Sequence, residues 1–227
     1  MKIISNDKKI SRNSTIGFWS SLISPALLLF SAFSILNNPA GFQKVFPIFA
    51  LGIVLYQIGL SFRKYGRRSD REFNKILSKL DNKYSIFQFK SPVPHLLVGP
   101  AGIWILLPKY AKGLITFNQK RKRWKLKRES FLDKFFFFIS EGLGRPDNEI
   151  LRQADVLDYH LQKNWDRKDN IQVNAVVVIM HEKSKINKDE FPIPTIHINK
   201  LRGFLREKEK ENKIPISTLK AFQDLFK

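Results

Sequence analysis

Residues 94–113 read PHLLVGPAGIWILLPKYAKG, and this stretch decides the fold. His95–Val98 and Ile103–Leu107 are near-continuous apolar runs of residues suited to strands, and Gly99-Pro100-Ala101-Gly102 between them is turn chemistry. Both strands therefore read as buried. The hairpin closes on Pro108-Lys109 and a Lys112-Gly113 turn, which leaves the long cation of Lys109 at a strand end, where open sheets carry their chemistry.

The stretch is similar to the nuclease-related domain family. Its restriction-endonuclease-like core has an Asp before an apolar strand, a Gly-Pro-x-Gly turn, then Glu-x-Lys and a Gly. Residues His95 to Ile103 match the strand and turn, and Lys109, Gly113 and Trp124 fall at matching positions downstream. Pro94 stands in the place of the family's Asp and Leu107 in the place of its Glu. The resemblance covers about Asp70 to Leu205. It implies an α/β fold, a restriction-endonuclease-like mixed sheet flanked by helices. It also places an acid at the opening of an earlier helix, which here is Asp70 with Glu72 as the other candidate, and a Gln on a later one, which here is Gln153. Pro146 stands farther ahead of Gln153 than in the family.

With 227 residues, 43% of them hydrophobic, the chain holds one domain of about 150 residues plus a separate apolar region. It has no cysteine, which excludes disulfides and thiolate zinc sites and fits a reducing compartment. A net charge of +20 predicts attraction to a polyanion, either nucleic acid or the anionic face of a bilayer.

The apolar region lies at the start. Residues 16–36 carry no charge, and as a helix this run spans about 30 Å, the thickness of a hydrocarbon core. Residues 45–62 form a second uncharged run, joined to the first by Asn37–Lys44 with its Asn-Asn-Pro and Gly. The pair reads as a transmembrane helical hairpin at 16–62, between a tail at 1–15 and a domain at 63–227. Lys2, Lys8, Lys9 and Arg12 precede it and Arg63, Lys64, Arg67 and Arg68 follow, while the link holds only Lys44. By the positive-inside bias both termini are cytoplasmic and the protein is a multi-pass component of the inner membrane. No ionisable group lies within either run, so the hairpin reads as an anchor.

In the domain, Phe73, Ile76, Leu77 and Leu80 give Ser69–Asp81 a helical face, and Asp70 serves equally as its cap. Tyr84–Phe89 reads as the strand before the central hairpin. Leu114–Asn118 and Trp124–Lys127 read as a second hairpin around the cationic turn Gln119–Arg123. Phe131–Ile139, with its four consecutive phenylalanines, is too short to span a membrane and is either core or membrane-facing. A helix is predicted over 148–163 with Asp147 as cap and Glu149 in its first turn. A buried strand follows at Val173–Met180, then a strand at Ile193–Ile198, a helix through Leu201 and Leu205, and a last helix capped by Ser217.

Metal-dependent phosphodiester cleavage requires carboxylates to hold a hard cation beside a base or cation near the attacking water. At the positions the resemblance singles out (Asp70, Pro94, Leu107, Lys109 and Gln153), the two principal acids are gone. The expectation is a degenerate, non-catalytic protein with no metal and no cofactor. Mg2+ enters only in the alternative of an active nuclease whose carboxylates have moved, for instance to Asp70, Glu72, Asp147 or Glu149. His95, His160, His181 and His197 show no metal-ligand spacing, and no GxSxG, GxGxxG or Walker motif occurs. The candidate nucleic-acid contacts are Lys109, Lys112, Lys120, Arg121, Lys122, Arg123, Trp124 and Lys125, with Trp124 read either as a stacking platform or as core. The expected partners are the lipid bilayer, DNA or RNA, and an unidentified protein. The remaining alternative is a protein- or lipid-interaction module at the inner membrane face.

Overall fold

The central hairpin forms the middle of a six-stranded sheet. The structure is a computed structural model and describes residues 1–127, 142–165, 172–187, 191–211 and 214–226. It divides into two units, one made of Met1–Ser5 with Asp70–Lys227 and the other of Asn6–Ser69. The phenylalanine block 131–139 lies outside the described residues.

In the first unit, β1 (Lys2–Ser5), β2 (Ser85–Gln88), β3 (His95–Gly99) and β4 (Gly102–Lys109) are followed by two strands of the same sheet, β7 (Val173–Ile179) and β9 (Thr195–His197). The spatial order is β1-β2-β3-β4-β7-β9. β2, β3 and β4 run antiparallel in turn, whereas β1 is parallel to β2, β7 to β4 and β9 to β7, so the sheet is mixed. A small second sheet of order β6-β5-β8 is built from β5 (Leu114–Asn118), β6 (Arg123–Lys127) and β8 (Lys185–Ile186).

The apolar runs are continuous because both faces of the large sheet are covered. Alternate residues of each strand enter different cores. On one face Leu97, Trp104, Leu106, Val176 and Val178 pack under Phe73 and Leu77 of α3 (Ser69–Leu77) and Leu201 and Leu205 of α5 (Ile198–Glu211). On the other, Leu96, Val98, Ile103 and Ile105 meet Leu157 of α4 (Pro146–Asn164) and Leu219 and Phe222 of α6 (Ile216–Asp224). A third cluster continues that face with Leu107, Leu143, Ile150, Val177 and Ile179, and joins Ile115 and Trp124 of the small sheet.

Several boundaries differ from the sequence reading, each for a local reason. Residues 2–5 form a strand of the sheet and are not part of a tail; Lys2 N donates to Tyr84 O at 2.8 Å. Pro108 and Lys109 lie within β4, paired with Val178 and Ile179. The β3 register stops at Leu96 opposite Ile105, so the missing N–H of Pro108 falls where β7 alone is a partner. Asp147 is not the cap of α4. Pro146 opens that helix and Asp147 lies in its first turn, in keeping with the preference of Pro for the first helical position. Ile198 starts α5 and does not end a strand, and Pro215 precedes α6, which places Ser217 inside that helix.

The second unit is a pair of long helices, α1 (Asp7–Asn37) and α2 (Phe42–Gly66), both long and apolar enough to cross a membrane. Small residues line their contact. A Cβ on Gly52 would lie 2.9 Å from Leu28 Cδ2, and one on Gly59 2.8 Å from Ser21 Oγ. Ser20, Ser24 and Ser31 are buried, while Phe18, Leu29, Phe33 and Leu36 are exposed, Leu36 to 81%. Large apolar groups thus face outward and small ones inward, the reverse of a water-soluble helix pair.

Candidate functional site

Lys109 ends β4 on the same face as Leu107, two residues before it, because side chains alternate along a strand. Its side chain is buried, with the residue only 3% exposed. Its ammonium Nζ donates to Glu149 Oε1 at 2.5 Å. Glu149 comes from the first turn of α4, where a negative side chain also faces the positive end of the helix dipole. Gly144 stands over the pair in the left-handed region at φ +64, and a Cβ there would lie 3.3 Å from Glu149 Oε1 and 3.8 Å from Lys109 Nζ. The loop before α4 therefore approaches the pair closely, and glycine permits both the approach and the backbone conformation.

Around this pair the polar groups divide. Arg145 Nη2 lies 3.2 Å from Asp147 Oδ2. Asp147 Oδ1 and Gln153 Oε1 are buried without a hydrogen-bond partner among the described residues. Gln153 stands one helical turn after Glu149. Leu107 packs into the third core cluster at 5% exposure, and the carbonyl of Pro94 accepts from Phe89 N at 2.8 Å. The positions expected to supply metal-binding oxygens thus carry an aliphatic branch and a ring. Glu149 is already held by Lys109 and Asp147 by Arg145. Among the described residues no group of three or more His, Asp or Glu could hold a metal ion. At Pro94 and Leu107 themselves there is no side-chain oxygen to offer a hard cation.

Asp70 is buried in the first turn of α3. Glu72, in the same turn, is a different case: burial pushes its carboxyl above the usual glutamate range, a hydrogen bond from Tyr110 pulls it down, and the charge of Glu182 raises it. Tyr110, just past the end of β4, packs against the first core cluster, whereas Leu107, on the Lys109 face, belongs to the third. His95 is structural. It is 2% exposed, its Nδ1 bonds Gln88 Oε1, and its ring meets Phe73 and Phe89 edge-on with centroids at 5.0 and 5.1 Å.

The cationic candidates do not form one patch with Lys109. Lys112, Lys120, Arg121, Lys122, Arg123 and Lys125 are exposed, whereas Lys109 is buried. Trp124 is 9% exposed, stacked on Phe191 at 5.0 Å and edge-on to Phe117 at 5.7 Å. Its ring faces the core. Two cations overlooked in the sequence, Lys127 and Lys185, lie beside Leu114 in the small sheet. The alternation Arg-x-Lys-x-Lys at 123–127 was the signal for the first of them.

No protein-family model, curated protein or solved structure matches this chain. Its class is therefore defined by its own architecture. It is an α/β protein with a mixed sheet flanked by helices and two long apolar helices near its N-terminus.

Proposed function

We propose that this protein is a membrane-anchored, non-catalytic relative of the nuclease-related domain proteins, with a restriction-endonuclease-like core that binds nucleic acid or serves as a scaffold at the cytoplasmic face of the inner membrane. One observation carries the non-catalytic reading: Lys109, the residue matched to the family's lysine, is neutralised by Glu149 while Pro94 and Leu107 replace the acids. A lysine engaged in this way is a structural ion pair. A hard cation needs oxygen ligands that these positions lack.

The outward-facing apolar side chains of α1 and α2 and their small-residue contact support the anchor. Chain continuity supports the topology. Met1–Ser5 and Asp70–Lys227 belong to one unit, which supports a hairpin whose two ends lie on the same side of the membrane. The cations flanking the two helices assign that side to the cytoplasm. The +20 charge supports a polyanionic partner.

The test uses the full chain in detergent with supercoiled plasmid and Mg2+ or Mn2+. The plasmid is expected to remain intact and to shift with a strong salt dependence. Metal-dependent nicking that disappears in Lys109→Ala would overturn the reading in favour of a nuclease with relocated carboxylates. Membrane insertion is checked by labelling a cysteine introduced at Gly41, which is expected to react only from the outer side.

A further inference from the structure

The small sheet divides its residues by chemistry. Ile115, Phe117, Trp124, Leu126 and Ile186 belong to or pack against the third core cluster. Alternation turns the other positions outward, and the register sets them side by side: Leu114 opposite Lys127, Thr116 opposite Lys125, Asn118 opposite Arg123, and Lys185 beside Leu114. This face carries four cations, one hydroxyl, one amide and one leucine, and no acid. The turn at its end adds Lys120, Arg121 and Lys122, all exposed. Lys120, Arg121, Lys122, Arg123, Lys125 and Lys127 take part in no ion pair among the described residues. The surrounding sequence is equally one-sided, since neither Asp nor Glu occurs anywhere from residue 82 to residue 128.

We infer that this outward face is a phosphate-binding surface for double-stranded nucleic acid. The inference rests on the nucleic-acid reading above and assigns it a place and a ligand form. Arg123, Lys125 and Lys127 repeat along β6 every second residue, so the row is about 14 Å long from first to last. At about 3.4 Å of duplex axis per phosphate of one strand, such a row faces about four phosphates.

The form of the ligand follows from what the face lacks. Binding to unpaired strands relies on aromatic rings on which bases stack. The nearby rings, Trp124 and Phe117, are packed inward with Phe191. What remains is a row of cations suited to the sugar–phosphate backbone, whose charge density is higher in a duplex than in a single strand, and contacts of this kind carry no sequence preference. An edge strand also uses lysines to block strand addition. That role accounts for a cation on either edge strand, β6 or β8, but not for three more in the turn, which lies outside the strands.

The experiment compares three forms of the full chain in nanodiscs of zwitterionic lipid: the native protein, the variant Arg123→Gln/Lys125→Gln/Lys127→Gln, and a control of equal charge, Lys79→Gln/Lys163→Gln/Lys210→Gln. The probe is a mixed-sequence DNA duplex titrated from low to moderate salt. The face variant is expected to bind at least about tenfold more weakly, with a log–log salt slope shallower by about 2 to 3 units. The control is expected to keep the native slope, and all three to keep the same Tm. Equal losses in both variants would show that total charge acts without this face and would overturn the inference while leaving the nucleic-acid reading intact. Failure of the native chain to bind the duplex even at low salt would remove that reading itself. Binding to vesicles with anionic headgroups, lost in the face variant and unaccompanied by duplex binding, would assign the surface to lipid and also overturn the inference.

Discussion

Lys109 Nζ and Glu149 Oε1 stand 2.5 Å apart, joining the end of a central strand to the first turn of a helix forty residues later. The ammonium is almost wholly buried and the carboxylate about one-third exposed. That asymmetry decides what each substitution does. Removing the acid strands a desolvated cation, whereas removing the lysine leaves a carboxylate that water can reach.

Glu149→Gln is therefore expected to lower stability by about 1–3 kcal/mol, less than a fully buried pair would lose because solvent screens the carboxylate. Lys109→Met is expected to cost less than Glu149→Gln. The double variant Lys109→Met/Glu149→Leu should recover most of the loss, since an apolar pair of similar volume suits the surrounding Leu107, Leu143 and Ile150. Thermal unfolding of the native chain, the singles Lys109→Met and Glu149→Leu, and their double variant gives the coupling directly. Additive losses would mean that the two side chains do not interact.

The hairpin at 94–113 was legible because burial on both faces demands continuous apolar runs, and Gly99–Gly102 between them carries the turn. The same reasoning found β7. It could not find β1, whose four residues carry little pattern and whose partner, β2, lies some eighty positions away. The site was legible only in part. Pro94 and Leu107 could be singled out in the sequence through the resemblance to nuclease-related proteins alone, but the partner of Lys109 depends on how α4 is set against β4, which no local spacing reports. Trp124 was ambiguous for a related reason: alternation along β6 assigns it to one face, and only the packing of Phe117 and Phe191 shows that this face is the core.

Glu72 supplies a prediction in pH. Burial raises its folded-state pKa above the usual glutamate range, so the unfolded chain releases this proton first as pH rises. The stability this group contributes is full below the usual range and falls as pH climbs from there through the raised value. Glu72→Gln has no proton to release and its amide oxygen can still accept from Tyr110. The variant is expected to show a flatter stability profile across that window and a higher Tm than the native chain at neutral pH. An unchanged difference between the two proteins from acid to neutral pH would show that Glu72 ionises as freely folded as unfolded.

In the helix pair, Gly59 sits where a Cβ would come within 2.8 Å of Ser21 Oγ and 3.3 Å of the Ser21 backbone N. The backbone contact leaves little room for adjustment. Gly59→Leu is expected to separate α1 from α2, while Leu60→Ala, at an exposed position on the neighbouring face, should leave the pair intact. Cysteines placed at Gly17 and Phe62, where a Cβ on Gly17 would lie 3.0 Å from Phe62 Cβ, should cross-link far less efficiently in membranes on a Gly59→Leu background than on the native background. Equal yields would show that the glycine is not needed for close packing.

Restoring the two acids tests the proposed core. Continued two residues beyond its last pair, Leu96 with Ile105, the β3–β4 register would set Pro94 opposite Leu107 near the Lys109 end of β4. In Pro94→Asp/Leu107→Glu, two carboxylates would stand beside a lysine, the donor set that the resemblance to nuclease-related proteins associates with a metal. Without metal the variant is expected to be less stable than the native chain, by about 3 kcal/mol or more, because Leu107 is buried among Leu143, Ile150 and Val177 and a charge there is desolvated. Mn2+ at about 100 times its dissociation constant would return about 2.7 kcal/mol, visible as a rise in Tm that the native chain does not show. The single variant Leu107→Glu keeps only one of the acids and is expected to respond weakly. A double variant that folds but ignores Mn2+ would place the two positions too far apart to share an ion and would remove the restriction-endonuclease-like reading of the core.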